Sequence, residues 1–201
     1  MNKTVKKPHS IQGVFKLPPD KSISHRAALF NAIAEGSAQI FNYSTSLDCQ
    51  STLESLTQLG ASIEAHTDPS QNHNLKIHQA ILQQASEPLD AGNSGTTLRL
   101  LTGFLASQPF STTITGDSSL RKRPMGRIIE PLTKMGASIS GEAHNTLAPL
   151  KITGQQLTGI EYHMPIASAQ VKSAILLAGL FANGKTIVHQ PLDSRNHTEL
   201  L

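Results

Sequence analysis

The chain has 201 residues, 38% of them hydrophobic, with a formal net charge of +3, which is enough apolar material for a sizeable core in one domain or two small ones. Aromatics are 4% and tryptophan is absent, which argues against the stacking surfaces of single-strand nucleic-acid binders; the longest apolar run, 174–182, falls far short of the roughly 20 residues that cross a bilayer. Cys49 is the only thiol, the lysines of the first ten residues precede no apolar run, and the histidines lack HExxH or CxxC-type spacing, so the expectation is a cytoplasmic protein with no nucleic-acid or membrane partner, no metal and no cofactor.

Three segments begin at a constant step of 73 residues: Ser22-Ile-Ser-His-Arg26, Gly95-Thr-Thr-Leu-Arg99 and Ser168-Ala-Gln-Val-Lys172. Each opens on small or hydroxyl residues, sets a cation four positions on and runs into an apolar stretch, so each predicts a helix start. Strand-forming segments follow the first two, over 39–43 and 112–115. Amphipathic second helices come next, one carrying Leu53 and Leu56 and the other Ile128, Leu132 and Met135. These end alike, LTQLGASI at 56–63 and LTKMGASI at 132–139, with a glycine to stop the helix and Ala-Ser-Ile to open a strand. The unit is therefore β-α-β-α-β-β, which must pack against its copies to cover its apolar faces, and three copies imply a pseudo-threefold α/β architecture. The third copy is expected to place a strand at 186–188 and to begin a helix at His197. It lacks the strands that should follow, so the chain is expected to be a piece of a longer protein with its third repeat truncated.

The helix starts also carry the candidate chemistry. Lys21, Ser22 and Arg26 combine two cations and a hydroxyl with free backbone donors, which suits a phosphate or carboxylate. Lys21 is expected to reach in from the preceding loop, although an N-cap beside solvated charges reads equally well. Gly92-Asn-Ser-Gly95 is a glycine-spaced turn open to an anion and lacks P-loop or GxGxxG spacing; a tight turn needing positive φ explains it too. Arg121, Lys122 and Arg123 precede a helix, with Pro124 expected in its first turn, and Arg195 occupies a similar place. Cations there oppose the helix dipole unless an anion lies between, or else form a solvated basic loop. Ser168 and Gln170 offer a hydroxyl and a carboxamide for sugar-like hydroxyls and phosphate oxygens, although capping alone accounts for Ser168. Cys49 and the histidines receive no role.

Taken together, LPPDKSISHRAAL, GNSGTTLRLL, LRKRPMGR, ASAQVKSAILLAGL and SRNHTELL resemble, in order and spacing, the motif series of the EPSP synthases. The resemblance runs from about residue 16 to Leu201 and covers a little under half of the family's usual length. It implies the enolpyruvyl transferase fold: two domains of three βαβαββ units, helices inside and sheets outside, with substrates in the cleft between them. Residues 1–20 would then be a first strand or segment of the other domain and 21–201 an incomplete substrate-binding domain. The implied reaction is transfer of an enolpyruvyl group from phosphoenolpyruvate to shikimate-3-phosphate in the shikimate pathway of aromatic amino acid and chorismate biosynthesis, without metal or cofactor, by a monomeric full-length enzyme that glyphosate inhibits. Carried over by position, Lys21, Ser22, Arg26, Ser168, Ala169, Gln170 and Arg195 hold shikimate-3-phosphate. Lys21, Asn93, Gly95, Arg123 and Gln170 contact phosphoenolpyruvate, and Lys21 is the catalytic participant. Gly95 stands where some glyphosate-tolerant members carry alanine, which leans towards sensitivity. The 201-residue chain alone is expected to be inactive. Alternatives are the enolpyruvyl transferase acting on UDP-N-acetylglucosamine, which shares the fold and the donor, and a non-catalytic anion- or RNA-binding module.

Overall fold

The computed structural model describes residues 4, 6–10, 12–15, 17–70 and 72–201. The described residues ahead of 21 carry no strand and are exposed apart from the half-buried Pro19, while residues 1–3, 5, 11 and 16 of the expected first strand lie outside the described residues.

The chain then runs through α1 (Lys21–Ile33), β1 (Ser37–Ile40), α2 (Leu47–Gln58), β2 (Ser62–Thr67) and β3 (His73–His78). A second series follows: β4 (Leu89–Asp90), α3 (Gly95–Leu105), β5 (Ser111–Thr115), α4 (Gly126–Lys134), β6 (Ser138–Gly141) and β7 (Leu147–Thr153). A third consists of β8 (Glu161–His163), α5 (Ala169–Gly179) and β9 (Ile187–His189). Strand order is β1-β3-β2 in the first sheet, β4-β5-β7-β6 in the second and β8-β9 in the third. The second series is the complete β-α-β-α-β-β unit. Its β4 and β5 are parallel across α3, as β8 and β9 are across α5, and its β5, β7 and β6 pair antiparallel just as β1, β3 and β2 do.

Local chemistry sets these boundaries. Both second helices end in the same Schellman geometry, with Gly60 at φ +98° and Gly136 at φ +97°. Ala61 N–H donates to Leu56 O and Gly60 N–H to Thr57 O; Ala137 and Gly136 donate equivalently to Leu132 and Thr133. Only glycine takes this φ without a Cβ penalty. The first helices begin at Asp20, Ser94 and Ser168, each of whose side-chain oxygens accepts the backbone N–H three residues on. The caps are thus 74 residues apart, not 73. Asp20 displaces Ser22 as the cap of α1, and Lys21 is the first residue of that helix, not a loop residue. Pro124 precedes α4 and the proline inside it is Pro131. After β9 the expected helix at His197 is a turn, closed by Leu200 N–H to Asn196 O at 3.1 Å.

Helices lie inside and sheets outside. In β7, Ala148, Leu150 and Ile152 alternate inward against outward-facing neighbours, the period-2 pattern of a sheet covered on one face. Helix α3 is buried on all sides from Leu98 to Leu105, Arg99 and Thr102 included, as befits a central helix. It crosses α5 at Gly103, where an added Cβ would stand 2.1 Å from the carbonyl oxygen of Ala174, so backbone packs directly on backbone. Phe104 meets Phe181 edge-on beside that crossing, with centroids 6.0 Å apart.

Polar side chains link the first three helices beneath the surface. His25 Nδ1 bonds Thr52 Oγ1 at 2.7 Å, Thr52 Oγ1 bonds Thr97 Oγ1 at 2.8 Å, and Thr97 Oγ1 reaches Ser94 Oγ at 2.7 Å. His25 is fully buried, and loss of water pushes its pKa down to about 4, so the imidazole stays neutral at physiological pH.

Two outcomes follow from this packing. Gly103→Ala should lower stability by about 1–3 kcal/mol or more, since neither backbone can yield to the new methyl; an unchanged urea midpoint would show that the crossing is looser than described. His25 is neutral in the fold below the pH at which an unfolded imidazole takes up its proton, so stability contributed by the neutral form is present above pH 6.5 and lost as pH falls towards 4. Between pH 7 and pH 5 this single group should cost about 2 kcal/mol. His25→Asn, which keeps a donor near the Nδ1 position without the titration, should flatten that part of the pH dependence in urea denaturation.

Candidate active site

The N-terminal ends of α1, α3 and α5 meet on one side of the helical layer, and each sequence-predicted residue falls at or beside them. Lys21 ion-pairs with Asp48 at 2.8 Å, its side chain about half exposed. Asp48 stands in the first turn of α2, where a carboxylate suits the positive helix end, and its carbonyl accepts from Thr97 Oγ1 at 3.0 Å. That bond brings Lys21 next to the start of α3.

Arg26 is 2% exposed and each of its nitrogens is engaged. Nη1 donates to Ser22 O at 3.0 Å and to Ser22 Oγ at 2.8 Å, Nε to Thr198 Oγ1 at 2.6 Å, and Nη2 to Ser173 Oγ at 2.5 Å. Burial lowers its pKa, partly opposed by Glu199 and Asp20. In this structure Arg26 ties α1 to α5 and to the final turn, and Ser22 serves it as acceptor. Lys172, buried on α5, pairs with Glu199 at 2.5 Å and adds a second tie to that turn.

Around α3 the arrangement is more open. Gly95 is the first residue of the helix, and a Cβ there would lie 2.9 Å from Arg99 Nη1 and 3.3 Å from Arg123 Nη1. The missing side chain lets two guanidinium groups converge over the helix start. Arg123 Nη2 donates to Asn93 Oδ1 at 2.5 Å, and Asn93 Nδ2 donates to Asp117 Oδ2 at 2.8 Å. Gln170 bridges α5 to α3, accepting from Arg99 Nη1 at 2.5 Å and donating to Thr96 Oγ1 at 2.9 Å. Ser168 caps α5, its Oγ accepting from Val171 N at 3.4 Å, and Ala169 opens the helix. Arg195 is exposed, with Nη1 3.8 Å from Asp20 Oδ2. The Asp20 carboxyl is held below its ordinary range, first by the Ile23 N–H and also by His197 and Arg195.

Arg99, Arg127, Asp48 and Asp117 were not singled out by the sequence. Arg99 is 7% exposed and its Nε has no partner among the described residues. Burial first, then the charges of Arg127 and Arg123, push its pKa down to about 10. A buried guanidinium beside two like charges, held by a neutral amide with no carboxylate partner among the described residues, is costly unless an anion shares the site. The signal for Arg99 was its place in the 73-residue repeat. Asp48 and Asp117 lie 27 and 24 residues from the partners they hold, and no local pattern marks such pairings.

Comparison with known proteins shows what the chain is similar to. The family model for EPSP synthase (3-phosphoshikimate 1-carboxyvinyltransferase) matches residues 5–201. A 3-phosphoshikimate 1-carboxyvinyltransferase of Thermoanaerobacter sp. (strain X514) is 49% identical over 203 residues, covering 100% of this chain and 47% of that relative. One from Coxiella burnetii (strain CbuG_Q212) is 51% identical over 196 residues, covering 95% and 43%. The solved EPSP synthase of Acinetobacter baumannii superposes with a TM-score of 0.87 at 46% identity, covering 93% of this chain and 42% of the other, which fixes the fold as that of the enolpyruvyl transferases. The chain spans about half the length of the curated relatives it matches. By sequence across nearly its whole length, and by fold, the chain belongs to the EPSP synthase family.

Proposed function

We propose that this chain supplies one wall of an enolpyruvyl transferase site that takes phosphoenolpyruvate and shikimate-3-phosphate and yields 5-enolpyruvylshikimate-3-phosphate and phosphate, a step of the shikimate pathway. The observation that carries the reading is the convergence of Arg99, Arg123 and Gln170 on the side-chain-free start of α3 at Gly95. Both substrates are polyanions, and fixed cations with free helix N–H groups offset the repulsion between them and stabilise charge that develops during transfer.

In this reading Asn93, Gly95, Arg123 and Gln170 form the phosphoenolpyruvate side, with Arg123 turning from Asn93 to the ligand. Ser22, Ser168, Ala169, Gln170 and Arg195 form the shikimate-3-phosphate side, and Arg26 contributes to it chiefly by holding Ser22 and α5 in place. Lys21 stands between the two groups, and on ligand arrival it exchanges Asp48 for substrate. Glyphosate, a small phosphonate-carboxylate, would occupy the phosphoenolpyruvate side. The remaining groups of the reaction come from a facing wall, and residues 1–20 belong with that wall. Because alignment and water exclusion need both walls, the 201-residue chain alone has no turnover.

Two experiments test this reading. Phosphate release with both substrates should be undetectable for the 201-residue chain and present in a chimaera joining it to the part of the Thermoanaerobacter relative beyond the match, with UDP-N-acetylglucosamine failing as acceptor. Turnover by the chain alone, or no turnover by a folded chimaera, would overturn the assignment. In that chimaera Lys21→Ala should lower kcat/KM by ~10²-fold or more. Arg123→Ala should weaken phosphoenolpyruvate by about 10-fold or more, the loss of one charge-assisted contact, and shikimate-3-phosphate much less. Equal weakening of both ligands in calorimetry would mean that Arg123 supports the loop instead.

A further inference from the structure

We propose that Glu161, His163 and His189 form a surface site for a divalent transition metal, zinc or nickel in chemical class, that clamps β8 to β9. The pair is parallel and in register, with His163 opposite His189 and Glu161 opposite Ile187. Side chains alternate along a strand, so Glu161 and His163, two apart, share a face, and cross-strand pairing puts His189 on it as well. All three are exposed, whereas Tyr162 between them is buried, its ring 5.3 Å from Lys134 Nζ of α4. The inward tyrosine fixes the strand, and the outward residues are held on that rigid base.

The ligand atoms are already close. They lie within 4.8 Å of one another, and they are the only such group among the described residues. The imidazoles stack with centroids 4.2 Å apart and planes 7° from parallel. Both Nε2 atoms face one carboxylate oxygen, Glu161 Oε1, that of His189 at 2.8 Å and that of His163 at 3.8 Å. Ligands about 2.0–2.1 Å from a tetrahedral zinc stand about 3.3 Å from each other, so the two distances to Glu161 Oε1 bracket the required edge, and the stacked imidazoles must turn out of parallel for both Nε2 lone pairs to converge on the ion. As an ion pair the cluster is poorly resolved, because only one imidazole reaches the oxygen. As a metal site both imidazoles and the carboxylate are used, with water at the fourth position. Two imidazoles with one carboxylate suit zinc, nickel, cobalt or copper over magnesium and calcium, which want oxygen ligands.

The clamp would act where the fold needs it. A two-stranded pair of three residues each has little stability of its own, and ligands donated from both strands fix their register only when folded. The cluster is separate from the arginines of the candidate active site and shares no residue with them.

The test uses the tag-free 201-residue chain at pH 7.5, titrated with Zn²⁺ and with Ni²⁺ by calorimetry, with Mg²⁺ as control. One equivalent of Zn²⁺ or Ni²⁺ should bind and raise the thermal midpoint. His163→Ala and His189→Ala should each weaken binding at least tenfold and abolish the rise, with Glu161→Gln weakening it less. Each residue is exposed, so the variants should keep the unliganded midpoint and circular dichroism of the parent. Absence of binding at millimolar Zn²⁺ would overturn the proposal, leaving an ion pair, as would stoichiometric binding untouched by the three variants.

Discussion

The approach of α3 to α5 is the constraint from which the rest of the site follows. With no side chain at Gly103, the two helix backbones come into contact at Ala174, and a helix spacing this short brings their N-terminal ends side by side. Gln170, in the first turn of α5, can therefore bond both Thr96 and Arg99 of α3. Helices kept apart by an ordinary pair of side chains stand at the usual 8–10 Å between axes, and the closer approach at Gly103 shortens the reach from Gln170 to Thr96. The glycine thus acts at the opposite end of the helix from the chemistry, through rigid geometry.

The second consequence is electrostatic. Helix N-termini carry a partial positive charge, and the fold gathers three of them and then adds Lys21, Arg99 and Arg123. Such an arrangement opposes folding in the absence of a ligand, as the depressed pKa of Arg99 records. It is tolerated because α3 buries nearly all of its length in apolar contacts, whose stabilisation exceeds the cost of a few desolvated cations. Stability is drawn from one part of the helix and spent at its start, a pattern expected where a site must be ready for an anion before it arrives.

Much of the scaffold was legible in the sequence, and the reasons are local. The Gly-Ala-Ser-Ile ends of the second helices could be read because a Schellman cap is fixed by six consecutive residues, and Gly60 and Gly136 carry it out with the same φ. The repeat was legible in outline, although the caps step by one residue more than the cations do. Matching the cations gives 73, whereas the caps Asp20, Ser94 and Ser168 give 74. Arg26, Arg99 and Lys172 accordingly occupy the sixth, fifth and fourth positions of their helices and do three different jobs: one ties helices, one lines the site, one pairs with Glu199. Partners set by tertiary contact left no trace in the pattern. Asp48 meets Lys21 across 27 residues, and His163 faces His189 only because β8 and β9 run parallel in one register, which no spacing in the sequence announces.

How each cation is held separates the tasks of the site. A carboxylate partner cancels charge, whereas a hydroxyl or amide oxygen fixes a guanidinium in direction and leaves its field intact. Lys172 is neutralised by Glu199 and Lys21 by Asp48, while Arg99 is steered by Gln170, Arg123 by Asn93, and Arg26 by the hydroxyls of Ser22, Thr198 and Ser173. The arginines around Gly95 are therefore aimed by amide oxygens, and the charge of Arg123 is felt by the Asp117 carboxylate beyond Asn93. Lys21 differs in having a carboxylate partner, Asp48, which it exchanges for substrate in the proposed reading. A lysine on a flexible stem suits that exchange, since its compact ammonium can leave one oxygen for another without the two-point geometry a guanidinium would have to break. In the proposed reading, the oriented arginines around Gly95 and the exchangeable Lys21 would together receive two anions.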